Sequence, residues 1–158
     1  DAGTIKFENK SFPVEKLVQQ ATAPFDIMLD IKNIKMDMSD IEEIQLYGDI
    51  KWLAEALSNV VKNCIESTSD GGQVKISAEE NAMYVKLCVI DSGTGIAEED
   101  IPHLFERFYR GKNSGKNGAG IGLALAKAII TQQNGRIIAE NIMPCGAKFT
   151  IFFDRGVA

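Results

Sequence analysis

The chain has 158 residues, 45% hydrophobic and 25% charged, enough to bury the core of one domain. A net charge of −5 argues against a nucleic-acid partner, which draws a basic excess, and no apolar run reaches the roughly 18 residues of a membrane span. Cys64, Cys88 and Cys145 are odd in number, far apart and free of any CxxC spacing, which suits a reduced, cytosolic setting, and the single histidine, His103, lacks companions for a zinc site. Asp1 stands where a start methionine would, without a signal peptide after it, so the expectation is an excised, soluble and monomeric piece forming one domain over 1–158.

Residues 4–10 alternate Ile5 and Phe7 with polar neighbours and predict a short strand. Pro13 suits the first turn of a helix with Val14, Leu17, Val18 and Ala21 on one face, ending near Ala23 before Pro24. Residues 33–38 and 43–47 read as two short strands. Asp49 is a good N-cap for a helix from Ile50 to about Ser67, striped by Ile50, Leu53, Leu57, Val60, Val61 and Cys64. Past the turn at Asp70-Gly71-Gly72, strands at 73–79 and 83–90 form a hairpin around Asn81-Ala82. From Ser92 to Gly118 the chain is irregular, with one short helix near 98–105; so long a stretch in a compact domain points to a functional lid or to an element missed. A helix from Ala119 to about Gln133, closed by Asn134-Gly135, precedes strands at 136–141 and 147–153. The pattern predicts an α+β two-layer sandwich: a mixed, largely antiparallel sheet of about five strands, with about three helices on one face.

Four features carry chemistry. Asn59 and Asn63 lie four apart, so they share a face of their helix, where asparagine is a poor interior former. An amide oxygen is a hard ligand suited to Mg²⁺; the bland alternative is a pair of solvated amides. Asp91 leaves an apolar strand directly into Ser92-Gly93-Thr94-Gly95-Ile96, where glycines let backbone approach a planar ligand and a carboxylate can accept an exocyclic amine such as adenine N6. Gly118, Gly120 and Gly122 precede a helix whose N–H groups and dipole favour an anion. They form GxGxG after a loop, which fits neither the dinucleotide fingerprint nor a P-loop. Finally, six Lys/Arg and no Asp or Glu fall between Arg107 and Ala139, a local reversal of charge that suits a polyphosphate or a docking partner.

This order of motifs resembles the GHKL ATPase superfamily, whose fold is the Bergerat fold, and within it the sensor histidine kinases. WLAEALSNVVKNCIE is similar to their N box, DSGTGI to the G1 box, PHLFERFYRG to the F box and GAGIGLALA to the G2 box, with Gly146 in CGAKFTI matching the last glycine box. The match runs from about Gly48 to Phe153. The resemblance implies ATP and Mg²⁺ as cofactors, with Asn63 the metal-coordinating asparagine and Asn59 its neighbour near the phosphates, the two being the catalytic pair. It implies Asp91 as the adenine-binding aspartate, with Gly93, Gly95 and Ile96 shaping that pocket. Gly118, Gly120, Ile121, Gly122 and Leu123 become the phosphate side. Phe105 and Phe108 become anchors of a flexible ATP lid, Tyr109 a stacking partner of adenine, and Arg110 or Lys112 a phosphate contact. Glu66 and Ser67 depart from the family, which often has lysine and then an aromatic or histidine there; a carboxylate does not hold phosphate.

An amide at position 59 is no general base, where ATP-hydrolysing relatives usually carry glutamate, so transfer to an external acceptor fits better than hydrolysis. His103 falls in the F-box segment and not on a dimerisation helix, so the acceptor histidine is expected outside this chain. The implied reaction moves the ATP γ-phosphoryl group to a histidine on a separate dimerisation domain of the same kinase, with a response regulator downstream and no nucleic acid involved. The parent protein is expected to be a membrane sensor with this domain on the cytoplasmic side. The alternatives are a GHKL ATPase, a serine kinase acting on a regulatory protein, and a nucleotide-sensing module without phosphotransfer.

Overall fold

Asp49 starts the longest helix by placing its carboxylate over two orphan amides: Oδ1 accepts from Lys51 N at 3.1 Å and Trp52 N at 3.3 Å. The other oxygen accepts from Glu8 N at 2.8 Å, so the same buried side chain also ties down the N-terminal segment. Helix α3 (Ile50–Ser67) follows, burying Leu53, Ala56, Leu57, Val60, Val61, Cys64 and Ile65 along one stripe. Its C-terminal carbonyls are taken by the Thr68 hydroxyl, donating to Cys64 O at 2.6 Å, and by Lys32 Nζ, donating to Ile65 O at 2.8 Å.

The computed structural model describes residues 6–109 and 121–155. Around α3 stand α1 (Val14–Thr22), α2 (Asp26–Lys32) and α4 (Gly122–Gln132), with α1 packed on one side of α3 and α4 on the other. The strands are β1 (Lys10–Pro13), β2 (Lys35–Ile41), β3 (Gln45–Gly48), β4 (Gln73–Glu80), β5 (Tyr84–Asp91), β6 (Gly135–Asn141) and β7 (Ala147–Asp154). Five of them form one sheet in the order β2-β4-β5-β7-β6, parallel between β2 and β4 and antiparallel elsewhere, while β1 and β3 pair separately. Alternate residues Val74, Ile76 and Ala78, Val85, Leu87 and Val89, and Phe149, Ile151 and Phe153 join the helix stripes in one core cluster. Burying a valine, leucine or phenylalanine there stabilises the fold by about 1.5–3 kcal/mol each. The mixed, five-stranded sandwich is the architecture the sequence predicts.

Local expectations differ in three places. The first strand is Lys10–Pro13 and not 4–10; residues 6–9 have no regular structure, and residues 4 and 5 lie outside the described ones. Phe12, buried opposite Leu46, is the side chain that sets the register, while Phe7 meets the Trp52 ring edge-on at 6.4 Å. Pro13 is accordingly the extended cap before the helix rather than its first residue. Second, Pro24 does not end the helical path: a 3₁₀ turn over Ala23–Phe25 re-aims the chain into α2, a fourth α-helix. Third, Asn33 closes α2 in the left-handed region at φ 53°, which asparagine tolerates, so the next strand begins at Lys35.

Candidate functional site

Strand β5 delivers Asp91 to the sheet end with only 2% of its surface exposed. Its Oδ1 accepts the N–H of Gly93 at 2.9 Å and of Ala147 at 3.1 Å; its Oδ2 is buried and has no partner. Burial pushes the carboxyl pKa above its usual range, against the pull of those two N–H groups and, least, of the nearby Cys64 thiol. Beside it the wholly buried Cys64 stays a neutral thiol: burial first, then the Asp91 charge, raise its pKa far above normal.

Two glycines make this corner possible. A Cβ at Gly146, which holds φ 113°, would stand 2.0 Å from Asp91 O, and one at Gly93 would stand 2.2 Å from Ser67 O. Only bare backbone lets β7, the end of α3 and the Asp91 turn meet so closely. Past Gly95, Ile96 is gripped from both sides by one side chain: Ile96 N donates to Asn141 Oδ1 at 2.7 Å and Asn141 Nδ2 donates to Ile96 O at 2.7 Å. The Ile96 side chain packs against the core.

Asn59 and Asn63 lie half-buried on the same flank of α3, Asn63 next in sequence to the Cys64 beneath Asp91. Asn59 Nδ2 donates back to Glu55 O at 3.1 Å, and its Oδ1 faces the start of α4 so closely that a Cβ at Gly122 would come within 2.9 Å. Helix α4 begins at Gly122, with Ile121 as its cap residue, and among the described residues no side chain caps its first amides; Ala119, where the sequence places the start, lies outside the described residues. Leu123 turns inward against the core while Ile121 is exposed. The α3 flank thus links the Asp91 corner to the start of α4. Glu66, at the position where the family often has lysine, is exposed.

The aromatic segment separates. Phe105 is half-buried, edge-on to Phe149 at 6.4 Å with Lys127 Nζ 5.9 Å from its centroid. Phe108 is exposed with Arg107 over its ring, at φ 67°. The Tyr109 hydroxyl donates to the Asp100 carboxylate, which lifts its pKa to about 12, and its ring lies 5.2 Å from that of His103. His103 Nδ1 is 2.7 Å from Glu106 Oε2. Of the basic run, Arg136 stacks on Phe152 at 4.2 Å, on the sheet face away from the helices. Arg110, Lys112, Gly118 and Gly120 lie outside the described residues.

Asn141, Cys64 and the Ala147 amide are members of this corner that sequence reasoning did not single out. A main-chain donor has no residue-type signature, and Cys64 reads as one more member of an apolar stripe. Asn141 did carry a weak signal, a polar amide closing an apolar strand.

Known proteins resemble the chain in sequence and in fold. The chain is 30% identical to the signal transduction histidine-protein kinase BaeS of Escherichia coli (strain K12) over 96% of its own length and 33% of that protein's. It is 35% identical to the heme sensor protein HssS of Staphylococcus saprophyticus over 75% of its length and 25% of that protein's, so it spans a third or less of these relatives. Among solved structures, the catalytic domain of histidine kinase ThkA superposes with a TM-score of 0.82 at 27% identity, covering 94% of this chain and 98% of that one. ThkA in complex with the response regulator protein TrrA superposes at 0.80 with 25% identity over 95% of this chain and 42% of that one. A family profile matches residues 48–157, and the chain belongs to the histidine kinase-, DNA gyrase B- and HSP90-like ATPases.

Proposed function

We propose that the chain is the ATP-binding catalytic domain of a sensor histidine kinase and that it transfers the ATP γ-phosphoryl group to a histidine on a separate dimerisation domain. The observation that carries this reading is Asp91 Oδ2, a buried carboxylate oxygen without a partner whose twin is fixed by two backbone amides. A polar atom left so costs about 1–3 kcal/mol, which a ligand donor offsets; the exocyclic amine of adenine is such a donor.

The amides of Asn59 and Asn63, one turn apart beside the start of α4, fit Mg²⁺, which takes few protein oxygens and completes its shell with water and phosphate. Among the described residues no group of three His, Cys, Asp or Glu could hold a metal by itself, so Asn63 would hold the ion together with the nucleotide. Bound there, Mg²⁺ supplies charge neutralisation to the phosphoryl oxygens. Asp91 orients the base, with Gly93, Gly95 and Ile96 as the wall beside it. The glycine-led start of α4 is the phosphate side, and Arg110 and Lys112, outside the described residues, are assigned to phosphate contact from their place in the sequence. Asn59 positions without taking a proton, which favours transfer over hydrolysis.

The partners are the kinase's own dimerisation domain and a downstream response regulator, the latter supported by the likeness to ThkA bound to TrrA. No helix among the described residues is long and apolar enough to cross a membrane; the proposed place of the domain, soluble and monomeric on the cytoplasmic side of a membrane-anchored sensor, rests on the sensor kinases it resembles.

Calorimetry with ATP and Mg²⁺ tests the site. Asp91→Ala should weaken binding at least about 100-fold, the loss of a charged hydrogen bond in a buried setting. Asn63→Ala should retain ATP and lose most of the dependence on Mg²⁺. Mixing the chain with labelled ATP and a purified histidine-bearing dimerisation domain tests the reaction: ATP binding without label transfer overturns the kinase reading and leaves a nucleotide-sensing module.

A further inference from the structure

We infer that Asn141 is a positioning residue for base recognition, holding the Asp91–Ile96 turn in the shape that presents the unpartnered carboxylate oxygen. The inference rests on the nucleotide reading above. The turn is attached to the β6–β7 pair at both ends. At one end Ala147 N donates to Asp91 Oδ1; at the other, the Asn141 amide donates to and accepts from the Ile96 backbone, both at 2.7 Å. Asn141 and Ala147 are direct register partners, so one rung of the ladder carries both attachments.

The chemistry of the grip is specific. It needs an acceptor and a donor on one planar group, facing an N–H and a C=O of one residue, and only one orientation of a carboxamide provides both. Gly95 fits the same contact: at φ 80° a Cβ there would stand 2.8 Å from Asn141 Oδ1. The near half of the turn is fixed by buried Gly93 and by two hydrogen bonds between Ser92 and Gln73, at 3.0 and 2.9 Å; in the far half Thr94 and the end of β6 around Asn141 are exposed, and only the Ile96 side chain reaches the core, so the grip is what holds that half. Without the grip, the turn visits other shapes, and apparent affinity falls by the fraction of time it is misplaced.

The test uses the chain as it stands, with ADP and Mg²⁺ as the probe, and reads the ratio of variant to wild-type Kd from pH 4 to 8. Asn141→Ala should bind about tenfold more weakly at every pH, the scale set by losing two hydrogen bonds on a mobile turn. Asn141→Asp keeps the acceptor and loses the donor. At pH 8 its carboxylate opposes Ile96 O and binding should be about tenfold weaker, whereas towards about pH 4, near the ordinary aspartate pKa, the protonated carboxyl regains an O–H donor and the ratio should fall to about two. Taking ratios removes the titration of Asp91 and of the nucleotide, which both proteins share. A merely structural role would shift melting temperature without this pH-dependent recovery. Wild-type binding with a flat Asn141→Asp ratio, or with Asn141→Ala within about twofold of wild type, overturns the grip alone. Wild-type protein that binds no ADP overturns the nucleotide reading, and this role with it.

Discussion

At the Asp91 corner the backbone does the holding: two amides on one carboxylate oxygen, two glycines at contact distance from neighbouring main chain, and an amide side chain on Ile96. At the Gly122 end, among the described residues, the tight approach is one asparagine oxygen against one glycine, and none of their side chains caps the helix. A rigid ligand part, such as the base proposed for the Asp91 corner, is best met by preformed geometry. The contrast shows where substitution should be punished and where it should be absorbed.

The sharpest way to break this contrast is Gly146→Ala. Its Cβ would strike the Asp91 carbonyl at 2.0 Å on a backbone already at positive φ, so chemical denaturation should show a loss of about 3 kcal/mol or more. Gly71→Ala is the control: φ is also positive, at 86°, but nothing lies within 4 Å, and about 1 kcal/mol should be lost. Equal losses would mean that conformation and not crowding governs the corner.

A smaller effect separates the aromatics. Phe105→Ala removes a ring packed on Phe149 and should cost about 2 kcal/mol, part of the value for a fully buried ring. Phe108→Ala removes an exposed ring and should stay within about 0.5 kcal/mol by the same denaturation measurement. The smallest effect concerns Asp91 itself. Because burial raises its folded-state pKa above the ordinary 3.8, the stability it contributes is full below that value and is lost as pH rises through the higher folded value. Asp91→Asn does not titrate, so its melting temperature minus that of wild type should rise with pH across that window. A difference that stays level with pH would remove burial as the dominant influence on this carboxyl.

Periodic apolar stripes made α3, the β4–β5 hairpin, β6 and β7 legible, because each buries one face and the pattern records it. Helix α2 left no such record: none of its residues is fully buried, and Ile27 and Ile31 point outward. The first strand was misplaced because Phe7 and Phe12 look alike in sequence while only Phe12 has a partner strand. Asp91 was readable as an acid at the exit of an apolar strand before glycines. The hydrogen bonds that shape its turn were not, since they come from the Ala147 main chain and from Asn141, 45 positions beyond the Ile96 it holds. Local charge misled in one respect: Arg136 belongs to the basic run by position but stacks across the far side of the sheet.

The three thiols are unevenly placed. Cys64 and Cys88 are buried, while Cys145 is exposed and rests on Ser92 O at 3.7 Å, one residue from Gly146. Buried thiols are inert to alkylation and surface ones react. A maleimide dye therefore marks the native chain at a single place beside the Asp91 turn and marks three on the denatured chain. Counting adducts by mass thus distinguishes opening of this corner from loss of the whole core.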